Sequence, residues 1–212
     1  MNIAIIDYRS GNLHSAMKSF QFATSDLKNA RVKVTSCYKD ILKADKVVLP
    51  GVGSFSFCKS KLLENTDVYK ALFDRVVEQK TPFLGICVGM QLLYQTSDES
   101  PNAKGLGLLT GKVKLLENAP RIPQMQWNQI ELEGDSPLLR GLNDEWFYFV
   151  HSYAAEQNHL QSTTIATCVY GSSVIAAVQK GLIFGTQFHP EKSGKAGQSL
   201  LQNFLKICER TV

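Results

Sequence analysis

Short apolar runs alternate with helical patterns along the first half of the chain. The runs that predict buried strands are residues 3–6, 32–34, 47–49 and 83–86. Apolar side chains recur at helical spacing in three segments between and after them, residues 13–20, 69–76 and 88–94. Near-continuous apolar strands that alternate with helices are typical of a parallel sheet whose two faces are both covered.

The second half of the chain has a different pattern. Strand-like segments occur at residues 130–132, 146–150, 165–170 and 174–178, and the last two flank a Gly-Ser turn signal. We expect these to be antiparallel additions to the sheet, followed by an apolar strand at 182–188 and a helix at 200–208. The pattern therefore predicts a flavodoxin-like α/β fold, with a mostly parallel sheet, helices on both faces and antiparallel additions. No linker divides residues 1–212, so we expect a single domain.

Composition and charge exclude several classes of protein. The 212 residues carry a net charge of only +4, which does not argue for nucleic-acid binding. No apolar run is long enough for a membrane span, and the first residues lack a signal-peptide pattern, so we expect a cytoplasmic protein that does not bind membranes. The five scattered cysteines predict no disulfide framework, and the spacing of Cys and His predicts no metal site or other cofactor.

The segment Gly85-Ile86-Cys87-Val88-Gly89 joins a predicted strand to a predicted helix with no loop residue between them. A turn this sharp forces its middle residue into a strained conformation, and the flanking glycines avoid Cβ clashes. Cys87 would then be exposed at the carboxyl edge of the sheet, where the helix N-terminus stabilises a thiolate. The Val88 amide would face the same point and bind an oxyanion. The pentapeptide alone fits a buried core cysteine equally well.

A second polar segment, His189-Pro190-Glu191, follows the last predicted strand and should lie at the same edge of the sheet. Residues two apart in an extended chain point to one side, so the Glu191 carboxylate is expected to orient the His189 imidazole. The second ring nitrogen would then face Cys87. The tripeptide alone indicates only a surface turn, but together with the cysteine turn it favours a catalytic triad.

A third segment, Pro50-Gly51-Val52-Gly53, also follows a predicted strand. Its glycines allow a backbone amide to turn toward a ligand, which would give a second oxyanion donor, or they form only a tight turn. The four cysteines other than Cys87 are expected to pack in the core because none lies in such a sharp turn.

Taken together, five motifs resemble the class I glutamine amidotransferases, and more narrowly the glutaminase subunits of imidazole glycerol phosphate synthases. They span residues 7 to 193 and are Asp7-Tyr8-x-Ser10-Gly11-Asn12-Leu13, Pro50-Gly51-Val52-Gly53, Gly85-Ile86-Cys87-Val88-Gly89-Met90-Gln91-Leu92-Leu93, His151-Ser152-Tyr153 and Gln187-Phe188-His189-Pro190-Glu191-Lys192-Ser193. The whole superfamily shares the cysteine turn and His-Pro-Glu. The opening motif, Pro-Gly-Val-Gly and the Gly-Met-Gln run are more specific to the glutaminase subunits.

The resemblance implies hydrolysis of glutamine to glutamate and ammonia by Cys87 as nucleophile, His189 as general base and acid, and Glu191 as its orienting carboxylate. It implies an oxyanion hole formed by the amide of Val88 with one from Gly51, Val52 or Gly53. The positions that match glutamine-binding residues are Gln91, Glu99, His151, Ser152 and Tyr153. The positions that match the partner-facing side are Asn12, Trp127, Tyr148 and Lys192. The implied partner is a (β/α)₈ cyclase subunit that receives the ammonia and makes the imidazole ring.

One segment departs from the resemblance. The family usually has Pro-His-Met-Gly-Trp-Asn, where this chain has Gln124 and Gln126 in place of the histidine and glycine. We expect both at the partner-facing edge, which leaves open a second copy of the subunit that serves a sugar-amidating partner. A stand-alone γ-glutamyl hydrolase and a non-catalytic flavodoxin-like protein with a reactive cysteine are two rival interpretations.

Overall fold

The computed structural model describes residues 1–156 and 163–208, which form thirteen strands and six α-helices. The strands are β1 (Asn2–Ile6), β2 (Arg31–Thr35), β3 (Lys46–Gly51), β4 (Phe83–Cys87), β5 (Thr96–Ser97), β6 (Lys112–Leu115), β7 (Gln124–Gln129), β8 (Glu131–Leu132), β9 (Trp146–His151), β10 (Tyr153–Ala155), β11 (Thr164–Tyr170), β12 (Ser172–Lys180) and β13 (Ile183–Thr186). The helices are α1 (Leu13–Ala23), α2 (Tyr38–Leu42), α3 (Phe55–Glu64), α4 (Thr66–Phe73), α5 (Val88–Gln91) and α6 (Gly194–Lys206).

Eight strands form the central sheet in the order β2-β1-β3-β4-β13-β12-β11-β8. The first five are parallel to one another, and β12, β11 and β8 continue the sheet in antiparallel pairs. Every residue of β3 and β4 is buried, which requires cover on both faces of the sheet. The predicted mixed α/β sheet is therefore confirmed, and parallel pairing brings the ends of β3, β4 and β13 to one edge.

The helices pack in pairs against this sheet. Helix α1 contacts α6, where the rings of Phe20 and Phe204 lie 6.3 Å apart, and α2 contacts α4. The pattern at 69–76 predicted α4, which begins earlier and continues as a π-helical turn over Asp74–Glu78. The short helix α2 and the helix α3 were not predicted. None of the helices in the described ranges has the length and apolar character needed to cross a membrane.

Helix α5 is shorter than the predicted helix at 88–94. Leu92 and Leu93 lie just beyond it, and their carbonyls accept from the amides of Leu106 and Leu109 in a following loop. These bonds tie the end of the helical turn to that loop. The segment after Cys87 is thus a single helical turn that is held by the loop.

The prediction that residues 146–150 extend the central sheet is wrong. Strand β9 pairs with β7 in a separate two-stranded ribbon, while β10, β6 and β5 form a third small sheet. The inward side chains Phe147 and Phe149 pack on Phe188, at ring distances of 4.1 and 5.5 Å. A strand buried on one face has the same alternation in a ribbon as in a larger sheet, so the pattern could not distinguish them. The ribbon brings His151 and Tyr148 toward the segment after β13.

Candidate active site

Cys87 lies at the junction of β4 and α5 with a backbone φ of +55°, a strained value for a residue with a Cβ. The flanking glycines allow the single turn of α5 to rest directly on the sheet. A Cβ on Gly89 would lie 1.8 Å from the Leu49 carbonyl oxygen, and one on Gly85 would lie 2.6 Å from the Gly89 oxygen. The predicted sharp turn, with glycines that avoid clashes, is confirmed.

His189 follows β13, the strand next to β4, so it reaches the same edge of the sheet as Cys87. Its Nδ1 lies 2.8 Å from Oε1 of Glu191, and both side chains are almost fully buried. The backbone differs from the expected extended stretch, because Pro190–Lys192 forms a 3₁₀ turn that folds the carboxylate back onto the ring. The i, i+2 pair nevertheless forms.

The charge state of His189 results from opposing effects. Burial lowers the pKa of this imidazole, but the neighbouring Cys87 sulfur and the Glu191 carboxylate outweigh burial and raise it above its ordinary value. Nε2 of His189 has no hydrogen-bond partner among the described residues, so the ring keeps one nitrogen for the reacting groups. A positive imidazole here favours a thiolate at Cys87 and can supply a proton.

A cavity of about 220 Å³ opens beside Cys87, a size that suits a small ligand. The residues that line it include all five positions expected to bind glutamine and most of the expected oxyanion loop. They are Val52, Gly53, Cys87, Val88, Gln91, Glu99, Pro123, Val150, His151, Ser152 and Tyr153. The structure therefore brings the predicted substrate residues and the nucleophile to one place.

Two polar residues on the cavity wall are already partly engaged. The Gln91 amide nitrogen donates to the Tyr153 carbonyl at 2.8 Å and to Oε1 of Gln187 at 3.0 Å, so its oxygen remains for a ligand. Oε2 of Glu99 accepts from the Phe55 amide at 2.7 Å, at the beginning of α3. The negative Glu99 carboxylate is the group in this cavity that suits the ammonium of an amino acid.

His151 is held in one neutral form. Its Nδ1 donates to the Tyr153 carbonyl at 3.0 Å, and burial lowers its pKa to about 4. Nε2 is buried and has no hydrogen-bond partner in the described part of the chain. The ring therefore offers an acceptor, and not a positive charge, to the cavity at neutral pH.

The loop that follows β3 is held by hydrogen bonds from three side chains, those of Tyr8, Ser10 and Cys58. The Ser10 hydroxyl donates to the Val52 carbonyl at 2.7 Å and accepts from the Val52 amide at 3.3 Å. The Cys58 thiol donates to the same carbonyl at 3.4 Å, and the Tyr8 hydroxyl donates to the Pro50 carbonyl at 2.6 Å. The Val52 amide, one of the expected oxyanion donors, is thus engaged with Ser10.

Three of the four expected partner-facing residues form one surface group. Trp127 and Tyr148 are cross-strand neighbours on the ribbon with rings 6.2 Å apart, and the Lys192 ammonium lies 5.7 Å from the Tyr148 ring. Trp127 remains 46% exposed. Asn12 has a structural role, because its side chain accepts from the Ser15 amide and caps α1.

The two glutamines of the divergent segment occupy different environments. Gln126 is exposed on the ribbon, whereas Gln124 is fully buried, with its amide nitrogen 3.9 Å from the Cys168 sulfur. The expectation that both lie at the partner-facing edge is therefore wrong for Gln124. Gln124 is the one buried residue of β7, which packs against β11.

Sequence reasoning missed several functional contacts. It gave no role to Tyr8, Ser10 or Gln187 individually, although the amide nitrogen of Gln187 lies 3.7 Å from the Cys87 sulfur. The signal for Gln187 was its spacing, since it precedes His189 by two residues. The expectation that the other cysteines pack in the core is wrong for Cys37 and Cys208, which are exposed. Within the described ranges, none of the five cysteines forms a disulfide.

Comparison with known proteins adds independent information. A family model described as "Glutamine amidotransferase class-I" matches residues 4–208. The imidazole glycerol phosphate synthase subunit HisH of Methanothermobacter thermautotrophicus is 43% identical over 205 residues, or 97% of this chain and 98% of that protein. The subunit of the same name from Pelagibacter ubique is 40% identical over 211 residues, or 98% of this chain and 100% of that protein.

Solved structures share the fold at much lower sequence identity. The crystal structure of a glutamine amidotransferase matches with a TM-score of 0.71 at 18% identity, over 95% of this chain and 98% of that chain. A glutamine amidotransferase from Thermotoga maritima matches with a TM-score of 0.62 at 17% identity, over 97% of this chain and 96% of that chain. These likenesses concern the fold alone.

Proposed function

Because the chain belongs to the class I glutamine amidotransferases, and within them to the HisH subunits of imidazole glycerol phosphate synthase, we propose that it hydrolyses glutamine with Cys87, His189 and Glu191. The observation that carries this assignment is the strained Cys87 turn beside a buried His189–Glu191 pair. The cavity at this point is lined by Gln91 and Glu99, which suit the polar end of an amino acid.

The reaction would proceed in two steps, the formation of a glutamyl thioester and its hydrolysis. The Cys87 thiolate attacks the side-chain amide carbon of glutamine, and the oxyanion that forms is stabilised by the Val88 amide. The C–N bond then breaks as the His189 imidazolium gives its proton to the leaving nitrogen, which leaves a glutamyl thioester and ammonia. His189 next takes a proton from water, whose oxygen attacks the thioester and releases glutamate and the thiolate. Glu191 holds the ring throughout.

We assign the ammonia to another subunit of an imidazole glycerol phosphate synthase, the assembly that the names of the relatives print. The family resemblance implies that this partner is a (β/α)₈ synthase that forms the imidazole ring in histidine biosynthesis. The surface group of Trp127, Tyr148 and Lys192 is the proposed contact face. Tyr148 supports this placement, because its carbonyl accepts the His189 amide at 2.9 Å while its ring lies beside exposed Trp127. A partner bound here would lie next to the catalytic pair. A cytoplasmic location stays a prediction.

The proposed enzyme is slow until its partner binds. In the structure the Val52 amide donates to Ser10, so the second oxyanion donor is not in place. Losing one such donor costs roughly 3–4 kcal/mol of transition-state stabilisation, or about 10²–10³ in rate. Rotation of the Gly51–Val52 peptide would supply it, and partner contacts that favour the rotated state would raise kcat more than they change KM.

The direct test is release of glutamate from glutamine by the purified chain, alone and with a synthase partner and its acceptor substrate. We expect a strongly stimulated rate with the partner, and loss of all glutaminase activity in Cys87→Ala. The same variant should still support synthesis when ammonium is added, because that step needs no thiol. Cys37→Ala, which removes an exposed thiol outside the cavity, is the matched control and should behave as the parent chain.

Two results would redirect the assignment. Full-speed hydrolysis by the chain alone would favour the stand-alone γ-glutamyl hydrolase. Stimulation by a sugar-amidating synthase, and not by the imidazole-forming partner, would identify a second copy of the subunit. The observation that supports a second copy of the subunit is the exposed Gln126, which replaces the usual glycine on the ribbon.

A further inference from the structure

A chain of hydrogen bonds connects the wall of the cavity to the nucleophile. The Tyr153 carbonyl accepts from the Gln91 amide nitrogen at 2.8 Å, and the same nitrogen lies 3.0 Å from Oε1 of Gln187. The amide nitrogen of Gln187 in turn lies 3.7 Å from the Cys87 sulfur. Gln91 and Gln187 are both buried, so water does not compete for these contacts.

The chemistry of the first contact fixes the orientation of both amides. A backbone carbonyl can only accept, so the Gln91 atom beside Tyr153 must be the nitrogen. That nitrogen has a second hydrogen, and the Gln187 atom that receives it must therefore be the oxygen. The remaining Gln187 atom, the one that faces sulfur, is then the nitrogen. The hydrogen-bond network thus determines the order of the atoms.

We propose that Gln187 is a fixed hydrogen-bond donor to the Cys87 sulfur, which stabilises the thiolate over the thiol, and that Gln91 holds the donor in this orientation. The proposal rests on the proposed glutaminase function, in which this thiolate is the nucleophile. A donor to a charged acceptor makes a stronger bond than a donor to a neutral one, so a permanent N–H beside sulfur favours the anion.

The shortness of helix α5 leaves a role for such a donor. Helix α5 has only four residues, and its dipole is correspondingly small compared with that of a long helix. His189 and Gln187 lie two apart after β13, so the imidazole and the amide approach the sulfur from one segment. One contributes a charge and a proton, and the other contributes a donor that does not titrate.

The test is the pH dependence of Cys87 alkylation by iodoacetamide in the full chain, followed by mass spectrometry of the Cys87 peptide. Peptide-level detection is needed because Cys37 and Cys208 are exposed. Gln187→Met keeps the length of the side chain and removes the donor. The matched control is Gln179→Met, since Gln179 bonds to Ser136 and Gly181 on the far part of the sheet.

We expect the alkylation profile of Gln187→Met to move to higher pH by about one unit, or roughly tenfold slower reaction at a fixed pH on its rising limb. The kcat for glutamine should fall at neutral pH and recover as the pH rises, with a smaller change in KM. The titratable groups that face Cys87 or its cavity are His189 with Glu191, Tyr8, Cys58, His151, Tyr153 and Glu99. All of them remain in the variant, so the shift reports the amide.

The outcomes separate this inference from the proposed function. A profile for Gln187→Met that overlies those of the parent and Gln179→Met would overturn the donor role. If the parent released no glutamate with its partner while the alkylation shift remained, the glutaminase assignment would fail and the sulfur contact would stand. If Gln187→Met does not fold, Gln91→Met removes the bond that orients Gln187, together with the bond to Tyr153, and leaves the Gln187 amide itself in place. Gln91→Met should move the alkylation profile to higher pH by a smaller amount than Gln187→Met. An unchanged profile would again refute the donor role of Gln187.

Discussion

Replacing Ser10 by alanine should raise the basal glutaminase rate of the isolated chain. The Ser10 hydroxyl bonds to both peptide units that flank Val52, as donor to its carbonyl and acceptor from its amide. Both bonds stabilise the conformation in which the Val52 amide is kept from the oxyanion. Ser10→Ala removes them without adding bulk, and so it weakens the resting state more than the rotated one.

The size of the effect follows from the geometry. The 2.7 Å bond to the Val52 carbonyl is well formed, whereas the 3.3 Å bond from the amide is long for this type. One good neutral hydrogen bond contributes about 1 kcal/mol, which corresponds to about a fivefold change in the rotated population. Val52 is 39% exposed, so water compensates part of the loss and the larger penalty for dry unpaired groups does not apply. The gain stays well below the roughly 10²–10³ ceiling for a complete oxyanion donor.

The assay is steady-state glutamate release with and without the synthase partner, in parallel with Cys87 alkylation. We expect about a fivefold higher basal rate, an unchanged stimulated rate and unchanged alkylation. Ser60→Ala is the matched control, because Ser60 is exposed on α3 and its hydroxyl bonds to the Phe57 carbonyl of the same helix. A basal rate that stays level or falls while the fold is intact would refute the view that Ser10 restrains the loop.

Three further predictions test other parts of the site. Gly53 has φ of +103°, and its Cβ position has only an ordinary contact, 3.6 Å to a Phe57 ring carbon, so Gly53→Val should abolish partner stimulation through backbone strain and spare Cys87 alkylation, whereas Gly134→Val should leave both unchanged. Trp127→Ala should weaken partner binding by about 2 kcal/mol in calorimetry, compared with little change for the similarly exposed Trp146→Ala. His151 has its pKa lowered to about 4 from an ordinary value near 6.5, so between these pH values the unfolded chain binds a proton that the folded chain does not. Its contribution to the free energy of unfolding, at most about 3 kcal/mol, should disappear as the pH falls through this window, and denaturant titrations of His151→Gln should lack that component.

The sequence was informative about the fold where local pattern and burial coincide. Strands β3 and β4 are apolar throughout most of their length and buried on both faces, so their type and parallel pairing followed from the pattern. Strand β9 alternates, and alternation identifies one buried face without identifying the partner strand. Directly after helix α5, the carbonyls of Leu92 and Leu93 bond to a distant loop, a tertiary contact that no local propensity contains.

In the candidate site, too, features that depend on adjacent residues were predictable and features that depend on distant contacts were not. The strained Cys87 and the His189–Glu191 pair were predictable because each depends on a few adjacent residues. The restraint on Val52 was not, since Ser10 and Cys58 reach it from 42 and 6 residues away along the chain. Nor was the position of Gln124, because a polar residue in a ribbon strand is expected to be exposed until the strand that covers it is known. The effect of a side chain at Gly51 could not be predicted from the sequence either. A Cβ there would lie 2.7 Å from the Gly89 amide nitrogen and would disturb the turn that holds Cys87.

The two buried histidines of the site are driven to opposite charge states by their surroundings. Burial penalises the charged form of both, but His189 has a carboxylate on one side and the Cys87 sulfur on the other, which raise its pKa. His151 donates only to a neutral carbonyl, so burial prevails and its pKa falls. A pair of like groups whose pKa values are separated in this way marks the division of roles in a site. This difference supports the proposed roles, in which His189 exchanges protons with the reacting atoms and His151 is a neutral acceptor that shapes the cavity.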